Sequence, residues 1–205
     1  MWTLANRTPE LMTNNSPLVF VVFGPQGSGK STQVERLAAK FGLNILEAGE
    51  VLRHRAKTDA HLLELVNSGT LVSDEVMTEI VEEEIEKFDH QRGVVFDGYP
   101  RDITQFNGFK MLADRYQWQV IAIFINLSDE TAQARLKGRF QLVDGQKVTR
   151  EDDQPAIVQK RLDTFRRETL PLKRLFNDAY QLIEIDGEPP IDAVTAEINL
   201  ALTDA

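Results

Sequence analysis

The segment Gly24-Pro25-Gln26-Gly27-Ser28-Gly29-Lys30-Ser31 constrains this chain more than any other stretch. It satisfies the pattern G-x-x-x-x-G-K-[ST] at every fixed position, the pattern of a loop whose backbone amides cradle phosphate. Its flanks agree with that reading. Leu18, Val19, Phe20, Val21, Val22 and Phe23 form an apolar, β-branched run suited to a strand buried on both faces. After the loop, Val34, Leu37, Ala38 and Phe41 fall at helical spacing, and Gly42 can end the helix. Strand, glycine loop and helix N-terminus together make an anion site: amides point inward, and the helix dipole favours negative charge. Glycines at 27 and 29 let the backbone wrap a phosphate with no Cβ in the way. Lys30 would reach the β- and γ-phosphates, and the Ser31 hydroxyl would sit on Mg²⁺.

With 205 residues the chain suits one domain with small inserted lobes. Lys and Arg number 23 against 32 Asp and Glu, a formal charge of −9. Such an acidic surface argues against duplex nucleic acid or an anionic membrane as a partner, but leaves room for a local basic cleft. Without cysteine there is neither disulfide nor Cys-ligated zinc, which is compatible with a reducing, cytoplasmic setting. No run of about 18 apolar residues is present, so no membrane-spanning helix is expected. Residues 1–17 read as a polar extension, expected to be mobile, without the basic start and apolar stretch of a signal peptide.

Beyond the loop, strands alternate with helices, which points to a parallel α/β sheet. Strands are expected at 45–47, 93–97, 120–127 and 181–185. Helices are expected at 50–57, 60–67, 74–88, 105–116, 128–139, 153–168 and 191–202. Ser73 and Ser128 are the expected caps of two of them. The polar stretch 141–150 contains Asp144-Gly145, a turn signal for a small hairpin.

Two further clusters carry chemistry. Asp97-Gly98-Tyr99-Pro100-Arg101 follows an expected buried strand, and Gln105 lies four residues beyond the arginine. Ligands in open α/β sheets bind at the carboxyl ends of strands, where Asp97 would hold Mg²⁺ directly or through water. Arg101 would stand at the cleft rim, where its planar fork suits phosphate. The second cluster is cationic: Arg53, Arg135, Arg139, Arg150 and Arg161 all fall near segment ends around one phosphate loop. A lone surface arginine contributes little, but a set of five is what phosphoryl transfer needs, because that chemistry is mostly positioning and charge stabilisation.

The ordered motifs resemble those of adenylate kinases and the wider nucleoside monophosphate kinase group. They are GPQGSGKSTQ at the loop, AGEVLR at 48–53, SGTLVSD at 68–74, DGYPRDITQ at 97–105, RLKGR at 135–139, REDD at 150–153 and QKRL at 159–162. The resemblance runs from Leu18 to the C-terminus. It implies an α/β fold of the P-loop NTPase type: three layers, a five-stranded parallel sheet, a helical monophosphate-binding lobe over 48–77 and a short lid over 140–150 without a zinc-bearing insert. Gly27, Ser28, Gly29, Lys30, Ser31 and Thr32 would bind the phosphates of ATP. Ser31, with Asp97 acting through water, would hold Mg²⁺. Arg53 and Arg101 would hold the acceptor phosphate, beside Gly49 and Gly98. Gln105 would read the acceptor base, with Ala48, Leu71 and Val72 near it. Arg135, Arg139, Arg150 and Arg161 would clamp the transferring group, the first two also lying beside the ATP base.

The implied reaction moves the γ-phosphoryl of Mg·ATP to AMP, with small nucleotides as the only partners and a monomer as the default. The sequence departs from the adenylate kinase pattern at four places. Ser31 replaces a glycine, Glu50 an aspartate, Tyr99 a phenylalanine and Ala48 a threonine. Ala48 is typical of uridylate and cytidylate kinases, while Gln105 points to AMP. A UMP/CMP kinase is therefore the alternative, and a non-catalytic nucleotide-binding regulator is a more distant one.

Overall fold

In β1 (Leu18–Phe23) successive side chains enter opposite cores: Val19, Val21 and Phe23 go to one side, Phe20 and Val22 to the other. A strand buried on both faces needs helices above and below it, and the remaining elements supply them. The computed structural model describes residues 16–68, 72–89, 92–137, 141–143, 146–148 and 155–203.

After β1 come α1 (Lys30–Phe41), β2 (Asn44–Glu47), α2 (Ala48–Ala56), α3 (Ala60–Ser68), α4 (Asp74–Glu86) and β3 (Val94–Asp97). Then follow α5 (Ile103–Arg115), β4 (Gln119–Asn126), α6 (Asp129–Lys137), β5 (Gln141–Val143) and β6 (Gln146–Val148). The chain continues through α7 (Pro155–Thr164), a π-helical turn (Phe165–Thr169), α8 (Leu172–Ala179), β7 (Gln181–Asp186) and α9 (Ile191–Ala201).

The main sheet has five parallel strands in the order β2-β3-β1-β4-β7. Helices α1 and α9 cover one face through Val34, Leu37, Val194 and Ile198. The other face is covered by α4, α5 and α8, through Ile80, Phe109 and Phe176 among others. The result is the expected three-layer α/β architecture. A separate small core of Ala132, Leu136, Val158 and Leu162 joins α6 to α7.

Several boundaries differ from the sequence reading. Helix α2 starts at Ala48 rather than 50, so Ala48 and Gly49 lie inside it. Helix α5 starts at Ile103 because the Asp102 carboxylate accepts from the Gln105 amide at 2.9 Å and so makes the N-cap. Ser73 occupies the cap position of α4, but its side chain makes no capping bond. The expected helix 153–168 is described only from Pro155, and after Thr164 it widens into the π-helical turn. Helix α8 was not anticipated. The strands of the expected 141–150 hairpin do pair, with Gln141 opposite Val148. Its turn at 144–145 lies outside the described residues, as do nearly all of 1–17.

Candidate active site

The loop between β1 and α1 closes by the route its glycines allow. Gly27 has φ +81°, in the left-handed region, and a Cβ there would stand 3.0 Å from the Ala132 carbonyl oxygen of α6. Gly29 takes the N-cap position of α1, which has no side-chain cap and no acidic residue in its first turn. Its positive dipole end is thus turned toward the loop without a built-in counter-charge. Lys30 Nζ donates to the carbonyl oxygens of Gly24 and Pro25 at 2.9 and 2.8 Å, which folds the cation over the loop. Ser31 Oγ donates to Asp97 Oδ2 at 2.6 Å. That bond joins the head of α1 to the carboxyl end of β3.

These groups line a cleft of about 500 Å³ above the carboxyl ends of β1, β2 and β3. Of the residues singled out from the sequence, Gly27, Gly29, Lys30, Ser31, Thr32, Gly49, Arg53, Asp97, Gly98, Arg101, Arg135 and Arg161 all line it. Arg53 and Arg101 meet over Gly49, where an added Cβ would lie 3.2 Å from Arg53 Nη1 and 3.7 Å from Arg101 Nη2. Arg101 reaches this position because Gly98, at φ +75°, lets the chain turn tightly. Arg101 Nε donates to the Gly98 carbonyl oxygen at 2.7 Å. Arg135 enters from α6, donating through Nη1 to the Gly27 carbonyl oxygen at 3.3 Å and through Nη2 to the Glu188 carbonyl oxygen at 3.0 Å.

Electrostatics follow from this crowding. Arg101 keeps solvent access along its side chain, yet desolvation in the cleft lowers its pKa from the ordinary arginine value. Arg161 and Arg53 lower it further and Asp97 opposes them. With Lys30 and Arg135, five cationic groups thus share a cleft that an anion would neutralise. Glu47, at the end of β2 beside Asp97, is held above the usual carboxylate range. Desolvation is the main cause, followed by Asp97, Glu50 and Glu35, with Arg53 opposing.

The structure does not bring all of the expected residues to the cleft wall. Ser28 and Ala48 are each 2% exposed and do not line it. Ser28 sits beneath the loop, where its Oγ would lie 3.2 Å from a Cβ at Gly24, so the serine can offer a phosphate only its backbone. Ala48 is packed into the α2 core. Val72 is buried in the same core. Gln105 is also 2% exposed and off the wall, and its Oε1 accepts from the Arg101 amide at 2.9 Å. Leu71, Arg139 and Arg150 lie outside the described residues.

Conversely, Glu47 and Thr169 line the cleft although nothing in the sequence singled them out. Glu47 could have been found as the last residue of a strand beside the strand of Asp97; the two are register partners. Thr169 had no such signal.

The fit to Mg²⁺ is tested by the donor set. Ser31 and Asp97 offer hard oxygens side by side, the type this ion prefers. No group of three or more His, Cys, Asp or Glu that could hold a metal occurs among the described residues. The remaining coordination positions would therefore fall to phosphate oxygens and water.

A model of the family described as Adenylate kinase matches residues 22–181, which include every described residue of the cleft. An adenylate kinase of Phocaeicola vulgatus is 34% identical over 190 residues, covering 90% of this chain and 98% of its own. One of Agrobacterium fabrum is 34% identical over 194 residues, covering 90% and 97%. One of Bacteroides thetaiotaomicron is 33% identical over 186 residues, covering 88% and 96%. A phosphate loop ending in Lys30 and Ser31, a strand-end aspartate and arginines arriving from three helices and the 98–101 turn thus coincide with similarity over nearly the whole chain, and the chain belongs to the adenylate kinase family.

Proposed function

We propose that the chain transfers the γ-phosphoryl group of ATP to AMP, giving two ADP. The observation that supports this most directly is the convergence of Arg53, Arg101, Arg135 and Arg161 with Lys30 on one cleft. Nucleotide retention alone does not need so many cations, whereas a transferring phosphoryl group spreads charge over three oxygens and does. The relatives named above are adenylate kinases, which favours AMP over UMP or CMP as the acceptor.

The donor triphosphate lies along the loop, where Lys30 exchanges its two carbonyl partners for β- and γ-phosphate oxygens. Arg53 and Arg101 grip the acceptor phosphate and aim one of its oxygens at the γ-phosphorus. That oxygen is already largely deprotonated at neutral pH, so no general base is required. Arg135 and Arg161 stabilise the transferring group from the α6–α7 side, joined by Arg139 and Arg150. Mg²⁺ held by Ser31, and by Asp97 through water, would neutralise charge on the phosphate oxygens. Residues 48–77 form the monophosphate-binding lobe and 140–150 the lid. Their closure excludes water, which would otherwise accept the phosphoryl group.

The test is an acceptor panel. ADP formation from ATP is measured with AMP, UMP, CMP and GMP at equal concentration. AMP is expected to lead by at least tenfold in kcat/KM. A lead for UMP or CMP would overturn the acceptor assignment, and no transfer to any of the four would overturn the reaction.

A further inference from the structure

Arg101 holds the acceptor phosphate in the reading above, so whatever fixes Arg101 fixes that phosphate. Its backbone is tied on both sides by side chains from different elements. The Arg101 amide donates to Gln105 Oε1 at 2.9 Å, and its carbonyl oxygen accepts from Thr169 Oγ1 at 2.7 Å. Gln105 stands in the first turn of α5, and Thr169 ends the π-helical turn that continues α7. Both side chains are buried, 2% and 8% exposed. Water therefore replaces a lost partner poorly, and the orphaned group carries its desolvation penalty.

The π-helical turn is what allows Thr169 to take part. Its widened spacing is marked by the Leu170 amide donating to the Phe165 carbonyl oxygen at 2.8 Å. Arg161 and Thr169 are eight residues apart. In an unbroken α-helix that spacing would rotate them roughly 80° from one another. A turn holding more residues brings the pair back toward one side, and both line the cleft. Thr169 thus lies on the same continuous helical segment as Arg161 while its hydroxyl grips the segment that bears Arg101.

We propose that Thr169 is a positioning residue: its hydroxyl couples the helix carrying Arg161 to the backbone of Arg101, and so sets the spacing between the acceptor-phosphate arginine and the transfer arginine. The inference rests on the assignment of Arg101 to the acceptor phosphate. It gives the π-helical turn a purpose, since a residue one place out of register would point away from the Arg101 carbonyl.

The test uses the full-length enzyme with Thr169→Val, Thr169→Ala, Thr169→Ser and Arg101→Ala. KM for AMP and for ATP are read separately, with AMP affinity by calorimetry and Tm alongside. Val and Ala are each expected to raise the AMP KM and the AMP Kd about threefold to tenfold, the range of one lost hydrogen bond, with the ATP KM within twofold. Ser is expected to restore both values to within twofold of the parent. Adding Thr169→Ala to Arg101→Ala is expected to weaken AMP no further, because both act on one contact. Ala guards against the Val methyl crowding the carbonyl it faces. An unchanged AMP KM in Thr169→Ala, equal changes for AMP and ATP, or no rescue by Ser would each overturn the proposal. An unchanged AMP KM in Arg101→Ala would instead overturn the assignment of Arg101 itself, whatever the Thr169 variants do.

Discussion

Replacing Lys30 with alanine separates the roles of the phosphate loop, because stability and turnover should respond by very different amounts. In the structure Lys30 Nζ donates to the carbonyl oxygens of Gly24 and Pro25. Buried charged hydrogen bonds contribute about 1.5–3 kcal/mol each, but these are part-buried beside an open cleft, and water can rehydrate both carbonyls. A total cost of about 1–2 kcal/mol follows, and for a chain of this size that lowers Tm by roughly 2–8 °C. The chemical cost is larger. A positioned donor aimed at developing charge contributes about 2.7–4 kcal/mol, or roughly 10²–10³ in rate. Lys30→Ala should therefore remain folded at 25 °C, by far-UV circular dichroism and a single thermal transition, while kcat in a coupled ADP assay falls at least a hundredfold. A variant within tenfold of the parental kcat would remove Lys30 from the transfer step. A Tm loss beyond about 15 °C would show that the loop depends on the lysine for its shape.

Two other perturbations probe the scaffold. Phe176 is fully buried and meets Phe23 at 5.2 Å and Phe106 edge-on at 4.9 Å. Phe176→Ala should cost about 3–5 kcal/mol, a Tm loss of roughly 6–20 °C, with both nucleotide KM values unchanged at 25 °C; a change under 1 kcal/mol would mean that α8 is not seated as described. Glu188 accepts from the Ser128 amide at 2.8 Å and from Thr131 Oγ1 at 2.7 Å, and its bond from Thr131 is the largest of the causes that lower its carboxyl pKa. A lowered pKa means stability that is present above the ordinary carboxylate value and lost as pH falls through the shifted one. Glu188→Gln should thus melt below the parent at pH 7, and the gap should narrow in thermal melts as pH falls below the ordinary carboxylate range; a gap independent of pH would contradict this.

Local features of the fold were legible because they are written in neighbouring residues. The β1 run, the loop glycines and the helical spacing of Val34, Leu37 and Phe41 each specify their structure over a few positions. The start of α2 was misjudged because Ala48-Gly49 reads as a loop: glycine is a poor helix former, yet here it lies under Arg53 and Arg101. The start of α5 was missed because the cap is Asp102, three residues before the Gln105 amide it accepts from. Helix α8 is one of the shorter helices, and its buried Leu172 and Phe176 give too short a pattern to distinguish it from a strand.

In the site, residues brought in by a motif were found, while those brought in by long-range contact were not. Thr169 reaches Arg101 across 68 positions. The Gln105 side-chain amide suits the edge of an adenine, yet its Oε1 accepts from the backbone of Arg101. No spacing rule reveals which of an amide's partners is its own chain.

The placement of Trp118 has a practical consequence. It precedes β4 at the end of the sheet remote from the cleft, stacked on Tyr116 with centroids 5.4 Å apart and beside Pro17 and Phe88. Trp118 does not line the cleft, so its emission serves as a native optical gauge of global melting rather than of contact with a nucleotide. With Trp2 changed to Phe, Trp118 becomes the chain's one tryptophan and its emission reports folding, while nucleotide occupancy is read by a separate signal such as calorimetry.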